Sequence, residues 1–344
     1  MDASEPVRTA IRVLADHGAL TSAQAEGVAD ALLAGVATPA QVAAILFGLR
    51  LKGETVDEIA GFARAMRRGA VAIPVDADAL VDPVGTGGDG LNTFNISTTA
   101  AFVAAAAGCR VAKHGNRAIS SRCGSADVLR ELGVCVDAPP ERTARCIREL
   151  GIGFLYAPLY HPGMRALMGP RTELGVRTIF NMIGPLTNPA GARRHVIGIY
   201  DRRWTHRIAE VLGRLGSTHA LVVHGEDGLD EISLSGRTTV SELRDGKVET
   251  YSITPEEFGL ARAGLDAIGG ADPTQNATTL SSVLSGEIGP RRDIVLLNAA
   301  ATIYVAGVAA TLGDGVARAA AAIDSGAAME KLRALVRASA EDAA

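Results

Sequence analysis

Four clusters of small and polar residues lie within 82–127 of this chain, each beside an apolar run. They are Gly85-Thr86-Gly87-Gly88-Asp89-Gly90, Asn95-Ile96-Ser97-Thr98, Lys113-His114-Gly115-Asn116-Arg117, and Ser120-Ser121 with Gly124-Ser125-Ala126-Asp127. A hydrophobic core has no use for so many glycines, hydroxyls and amides, whereas a site that wraps an oxygen-rich, charged ligand does. Glycines reach positive φ without steric cost and let the backbone approach a ligand. A run of them turns several N–H groups toward one point and makes an anion nest. A helix over roughly 98–107, capped by Ser97 or Thr98, adds free N–H groups and a partial positive charge. Lys113 supplies a point charge and Arg117 a planar fork. His114 and Asn116 offer directional hydrogen bonds. Phosphate or pyrophosphate is the natural guest. The alternative is a plain strand–turn–helix connection in which the glycines only shape the loop.

Gly85, Gly87 and Gly90 also spell GxGxxG. Two features argue against a dinucleotide site. Leu91–Asn95 intervenes before the helix, and the next strand ends in Lys113-His114 where a ribose-binding acid would stand. No GxxxxGK followed by Ser or Thr is present. Further on, Asp230-Glu231 follows His224-Gly225-Glu226-Asp227-Gly228. Adjacent carboxylates beside a glycine-rich loop suit Mg²⁺; an acidic solvated loop is the ordinary alternative. Arg171, in Gly169-Pro170-Arg171, is either a carboxylate-binding fork or a surface arginine on a helix of about 171–182.

GTGGDGLNTFNIST, KHGNRAISSRCGSAD and GPRTELGVRTIFNMIGPLTNPA resemble the motifs of the anthranilate phosphoribosyltransferases of tryptophan biosynthesis, in the same order. The similarity runs from about Ala19 to the last helix. It implies transfer of the phosphoribosyl group of 5-phosphoribosyl 1-diphosphate to the amine of anthranilate, with Mg²⁺. By the resemblance, the phosphoribosyl donor is bound by Gly85, Gly88, Asp89, Thr93, Asn95, Ile96, Ser97, Thr98, the run Lys113, His114, Gly115, Asn116, Arg117, Ala118, Ile119, Ser120, Ser121, and Ser125. Anthranilate is assigned to Gly85, Asn116 and Arg171, and Mg²⁺ to Ser97, Asp230 and Glu231. Glu226 and Asp227 carry no such match. Asp127 reads as a structural cap of a helix over 128–132. The family spaces its Gly-Pro one residue earlier before the arginine. No Ser–His–acid pattern appears, and a neutral aromatic amine needs none, so no general acid or base is assigned.

These residues need elements to hold them. The fold class expected is α/β: a small N-terminal all-helical domain and a large α/β domain whose mostly parallel sheet is covered by helices, nucleoside phosphorylase/phosphoribosyltransferase-like. Residues 1–70 read as helices only. Thr21-x-x-Gln24, Thr38-Pro39-x-Gln41 and Thr55-x-x-Glu58 are capping boxes, Gly35 and Gly53 fit C-terminal caps, and Val42, Ile45, Leu46 and Leu49 make an apolar stripe. After Ile73-Pro74, strands are expected at 80–84, 110–113, 133–136, 153–156, 195–200 and 219–224, with helices between several of them. Ligands of such sheets sit beyond the carboxyl ends of strands, which lets Gly85 and Lys113 converge. Arg292–Leu297 reads as a last strand, followed by helices at Asn298–Leu312, Gly315–Ser325 and Met329–Ala338. The division expected is a helical domain at 1–72, with a returning segment at about 166–190, and a donor-binding domain at 73–165 and 191–344. Gly184-Pro185-Leu186-Thr187-Asn188-Pro189 is the connector between them.

With 34 Lys and Arg against 38 Asp and Glu, the net charge of −4 implies no broad basic surface for nucleic acid. The four cysteines form no CxxC pair and read as reduced thiols of a cytoplasmic protein. No signal-peptide core or membrane-spanning run is expected. The resemblance adds a homodimer through the helical domain. Two rival readings remain: a pyrimidine nucleoside phosphorylase of the same architecture, and a non-catalytic relative that binds nucleic acid.

Overall fold

The computed structural model describes residues 3–118 and 122–340. The chain opens with α1 (Glu5–Ala15), α2 (Ser22–Leu33), α3 (Pro39–Lys52) and α4 (Val56–Arg68). All three expected capping boxes are formed, on α2, α3 and α4. Glu58 does more than cap. Buried, it accepts from the Leu20 and Thr55 N–H groups and pairs with Lys52 at 2.9 Å, tying three segments of the bundle together. Val42, Ile45, Leu46 and Leu49 are all buried.

The sheet has seven strands in the order β3-β2-β1-β4-β5-β6-β7. β1 (Leu80–Gly85), β2 (Arg110–Gly115), β3 (Ile152–Tyr156), β4 (Arg194–Gly198) and β5 (His219–Gly225) run parallel. β6 (Thr238–Arg244) and β7 (Lys247–Ile253) add an antiparallel hairpin. Side chains alternate between faces along each strand. On β5, Leu221 and Val223 join the core beneath α5 (Ile96–Ala106), whereas Ala220 and Val222 join the core shared with the bundle.

Between the first strands come α6 (Ser125–Glu131) and α7 (Pro140–Leu150). After β3 the chain passes through short helices: α8 (Ala157–Tyr160), α9 (Met168–Leu174) and α10 (Phe180–Ile183). Leu167, Ile179, Phe180, Met182, Ile183 and Leu186 pack into the core formed by α1–α4. α11 (Thr205–Arg214) lies between β4 and β5, and α12 (Pro273–Leu284), α13 (Pro290–Val305), α14 (Leu312–Asp324) and α15 (Ala327–Ala340) close the fold against α5. Arg67 fastens α4 to the segment after α10 and to the end of α11. Its guanidinium donates to the carbonyls of Leu186 at 2.7 Å and Leu215 at 3.0 Å.

Several expectations need correction. Residues 133–136 form no strand, because Gly133 takes φ 90° and the segment is a turn between α6 and α7. Arg292–Leu297 lies within α13; its apolar part, Ile294–Leu297, is buried on all sides and has no period to separate strand from helix. That helix ends at Val305 rather than Leu312. The helix expected at 171–182 stops at Gly175, which takes the left-handed conformation, and α10 begins afresh at Phe180. α6 starts at Ser125, not 128. α5 starts at Ile96 with Asn95 at its N-cap and no side-chain cap bond, so neither Ser97 nor Thr98 caps it.

Candidate active site

The parallel strand order reverses between β1 and β4, the point where sheets of this kind bind ligands. Gly85 and Gly198 are register partners at the carboxyl ends of these two strands. Asp230 lies across both. A Cβ on residue 198 would stand 1.5 Å from the Asp230 carbonyl oxygen, and one on residue 85 would stand 2.6 Å from its Oδ2. The glycine loop then folds over the same carboxylate. The Gly87 N–H donates to Asp230 Oδ2 at 2.7 Å, and Asp89 approaches the same group. Thr86 N–H donates to the Gly198 carbonyl at 2.9 Å, while Thr86 Oγ1 accepts from the Tyr200 N–H at 3.2 Å. Gly87, Gly88 and Gly90 all have φ between 64° and 78°, a conformation that favours glycine.

Glu231 faces the first turn of α5, where its Oε1 accepts from the Ser97 N–H at 3.1 Å. Lys113 arrives from the end of β2. Its ammonium is buried and donates to the Pro83 carbonyl at 2.7 Å and to Ser97 Oγ at 3.3 Å. Burial raises the proton affinity of Asp230 and Glu231, with Asp89 adding to the first and Asp230 to the second. Burial lowers that of Lys113, opposed by Asp82, Glu231 and Asp230. The hard oxygens of the adjacent Asp230 and Glu231 carboxylates fit Mg²⁺. Among the described residues no three His, Cys, Asp or Glu side chains form a protein-only cage. Mg²⁺ sites commonly use one or two carboxylates and complete the shell with phosphate oxygens.

The other expected residues are positioned as follows. Thr93 bridges Gly269 in antiparallel fashion, and Ile96 and Thr98 are buried. Asn95 is held on both sides of its amide, donating to the Cys123 carbonyl at 3.3 Å and accepting from Asn276 Nδ2 at 3.1 Å. Asp127 Oδ2 accepts from both the Ala118 and Gly124 N–H groups at 2.9 Å, drawing the ends of segment 118–124 together. Ser125 Oγ donates to the Asn116 carbonyl at 3.2 Å. A Cβ on Gly115 would stand 2.2 Å from that hydroxyl oxygen. Asn116 and Arg117 are exposed, and the Arg117 guanidinium lies 5.7 Å above the Tyr156 ring. Ile119, Ser120 and Ser121 lie outside the described residues.

His114 points away from solvent. Its ring lies 5.2 Å from that of His161, and burial pushes its pKa down to about 3, that of His161 to about 4. Both imidazoles are therefore neutral near pH 7. The backbone N–H of His114 donates to Asp82 Oδ1 at 3.0 Å. Asp82 is fully buried on β1, and its Oδ2 accepts from Asn188 Nδ2, which also reaches the Ala112 carbonyl, both at 2.7 Å. Asp82 and Asn188 were not singled out in the sequence. The signal was a carboxylate inside the apolar run Leu80–Val84. Arg171 sits on α9, half-buried, with its guanidinium 5.3 Å from the Phe180 ring. Among the described residues it has no acidic partner, and burial lowers its pKa. It makes no hydrogen bond to the glycine loop or to the carboxylate pair.

Comparison with known proteins places the chain in a family. Residues 77–329 match the a/b domain of a glycosyl transferase family, and residues 8–70 match its helical bundle domain. The anthranilate phosphoribosyltransferase of Anaeromyxobacter dehalogenans is 58% identical over 332 residues, covering 96% of this chain and 98% of the relative. That of Moorella thermoacetica is 55% identical over 317 residues, covering 92% and 94%. The crystal structure of the Thermus thermophilus anthranilate phosphoribosyltransferase superposes with a TM-score of 0.92 at 48% identity, covering 99% of this chain and 100% of that one. The Saccharomyces cerevisiae enzyme in complex with PRPP and Mg gives 0.89 at 28% identity, covering 98% and 99%. The same enzyme in complex with 4-fluoroanthranilate gives 0.87 at 27% identity, covering 98% of each chain.

Proposed function

The chain belongs to the anthranilate phosphoribosyltransferases of the glycosyl transferase family, and from that premise we propose how its residues carry out the transfer. It moves the phosphoribosyl group of 5-phosphoribosyl 1-diphosphate to the amine of anthranilate, releasing diphosphate. One observation carries the reading: the glycine loop, the N-terminus of α5, Lys113 and the Asp230–Glu231 pair all meet beyond the carboxyl ends of β1, β2 and β4.

Mg²⁺ is assigned to Asp230, Glu231 and Ser97, where it would polarise and neutralise the departing diphosphate. The rest of the work falls to the chain. Amides of the Gly85–Gly90 loop and the first turn of α5 stabilise anionic oxygens. Lys113 and Arg117 add positive charge on the same side. Loss of an anomeric leaving group passes through an oxocarbenium-like state, by analogy with glycoside cleavage. Negative charge builds on the leaving group there, so stabilising it lowers the barrier itself. Losing one such donor typically costs on the order of 3 kcal/mol.

Arg171 is assigned to the anthranilate carboxylate and Asn116 to both substrates. An exposed Asn116 beside the buried Lys113 suits a residue that borders two pockets. The amine attacks as a neutral nucleophile held in line with the anomeric carbon, a share of the catalysis that is positional. Neutral His114 and His161 supply no charge to this step.

The helical domain is assigned to 1–72 with the returning segment 166–190, and the donor-binding domain to 73–165 and 191–344. Phe47 and Leu51 on α3 and Met168 on α9 are exposed, and α3 touches α9. Such an apolar face supports a homodimer through the bundle. No helix among the described residues is long and apolar enough to cross a membrane.

The test is product identity. Protein incubated with anthranilate, the donor and Mg²⁺ is expected to yield N-(5-phosphoribosyl)anthranilate and diphosphate in equal amounts by mass spectrometry and phosphate assay. Phosphorolysis of a pyrimidine nucleoside instead would overturn the assignment.

A further inference from the structure

We propose that Arg177 is a positioning residue that sets the glycine loop for the phosphoribosyl donor, using the Tyr200 ring as its platform. The inference rests on the reading of that loop as the donor's diphosphate site.

Arg177 follows α9, on the segment that packs with the bundle. It is exposed and joins no ion pair among the described residues. Its guanidinium nevertheless makes two directed contacts. One nitrogen donates to the Gly88 carbonyl across 89 residues of sequence. The planar group also lies 4.1 Å from the Tyr200 ring centroid, a close cation–π stack. Gly88 takes φ 76°, and a Cβ there would stand 3.4 Å from the guanidinium, so the loop passes directly beneath it. Tyr200 is fixed in turn, because its N–H donates to Thr86 Oγ1 in the same loop. Arg177, Tyr200, Thr86 and Gly88 therefore form a closed ring of contacts around the loop's outer side.

The inner side of that loop carries the Gly87 N–H, which points to Asp230. Holding the Gly88 carbonyl outward leaves the loop's amides directed inward, the orientation an anion requires. Arg suits the task where Lys does not, since a planar fork stacks and donates at once. The brace also crosses between parts of the fold. Arg50 and Glu54, on and just after α3, stand close enough to Tyr200 to act on its phenol, and Glu54 is buried with both carboxylate oxygens lacking a hydrogen-bond partner.

Four variants test this: Arg177→Ala, Arg177→Lys, Tyr200→Phe and Tyr200→Leu. Steady-state constants for both substrates are measured with thermal midpoints, and Mg²⁺-diphosphate binding is measured by calorimetry. Arg177→Ala and Tyr200→Leu are expected to raise the donor KM and weaken diphosphate by about tenfold or more, the worth of one charge-assisted hydrogen bond. The anthranilate KM and the thermal midpoint stay at wild-type values. Tyr200→Phe keeps the platform and behaves as wild type, and Arg177→Lys recovers only part of the loss. Unchanged diphosphate affinity in Arg177→Ala, or equal losses for both substrates, would overturn the proposal. Wild-type protein that binds Mg²⁺-diphosphate but turns over no anthranilate would defeat the reaction assignment and leave the calorimetric comparison to decide on Arg177.

Discussion

The Gly87 N–H donates to Asp230 Oδ2 at 2.7 Å, joining residues 143 positions apart in the chain. This contact unites the two halves of the proposed site. The loop that would hold diphosphate oxygens and the carboxylate that would hold their cation already touch. Asp230 packs on the glycine pair Gly85 and Gly198, where a Cβ at either position would collide with it.

Gly198→Ala should therefore be severely destabilising. The new Cβ would stand 1.5 Å from the Asp230 carbonyl oxygen, which is backbone and cannot rotate away. A cost on the order of 3 kcal/mol or more is expected, in the range reserved for strain at a packed site. Urea denaturation reads it as a lowered midpoint. An unchanged midpoint would mean that the Asp230 segment is free to move.

Arg171→Ala should raise the anthranilate KM by about thirtyfold, the worth of a charged hydrogen bond. The donor KM should stay put, because Arg171 makes no bond to the glycine loop or the carboxylate pair. Steady-state kinetics with each substrate varied separates the two. An unchanged anthranilate KM would count against the carboxylate role.

Acid should weaken the fold through its buried imidazoles. His195 is fully buried on β4, neither ring nitrogen has a hydrogen-bond partner, and burial pushes its pKa down to about 3. Its unfolded pKa is about 6.5. Between those values the unfolded chain binds more protons, so the contribution is whole above pH 6.5 or so and is lost as pH falls toward the folded value. His195→Leu should gain on wild type by about 2 kcal/mol between about pH 7 and pH 5. Denaturant titrations at both values measure it. A difference that ignores pH would contradict the neutral buried ring.

Charge on the exposed face of α3 should break the proposed homodimer. Phe47→Glu with Leu51→Glu is expected to halve the mass seen by light scattering while leaving the far-ultraviolet circular dichroism intact. Wild-type mass in the double variant would move the interface elsewhere.

What the sequence disclosed was local. Thr21, Thr38 and Thr55 each meet their partner three residues on, and all three capping boxes form. The glycine loop at the end of β1 and the Lys113 cluster at the end of β2 were legible because each stands at the carboxyl end of its strand. What stayed hidden was long-range or without period. Nothing near Gly198 announces that Asp230 will lie on it, and nothing near Arg177 announces Gly88. The run 294–297 is buried all round in α13, where helix and strand look alike. One miss had a readable signal: Arg244-Asp245-Gly246-Lys247 joins β6 to β7, with positive φ at both Asp245 and Gly246, the Asp-Gly turn that favours hairpins.

The reaction proposed for the Asp230–Glu231 site is metal-assisted phosphoribosyl transfer to anthranilate. It is tested most directly by following anthranilate fluorescence after adding 5-phosphoribosyl 1-diphosphate, with Mg²⁺ and with a chelator, in wild-type protein and in Asp230→Asn. The expected result is a loss of fluorescence that needs protein, donor and Mg²⁺ together and slows by about a hundredfold in the variant. No loss in folded wild-type protein that still binds the donor would contradict the account.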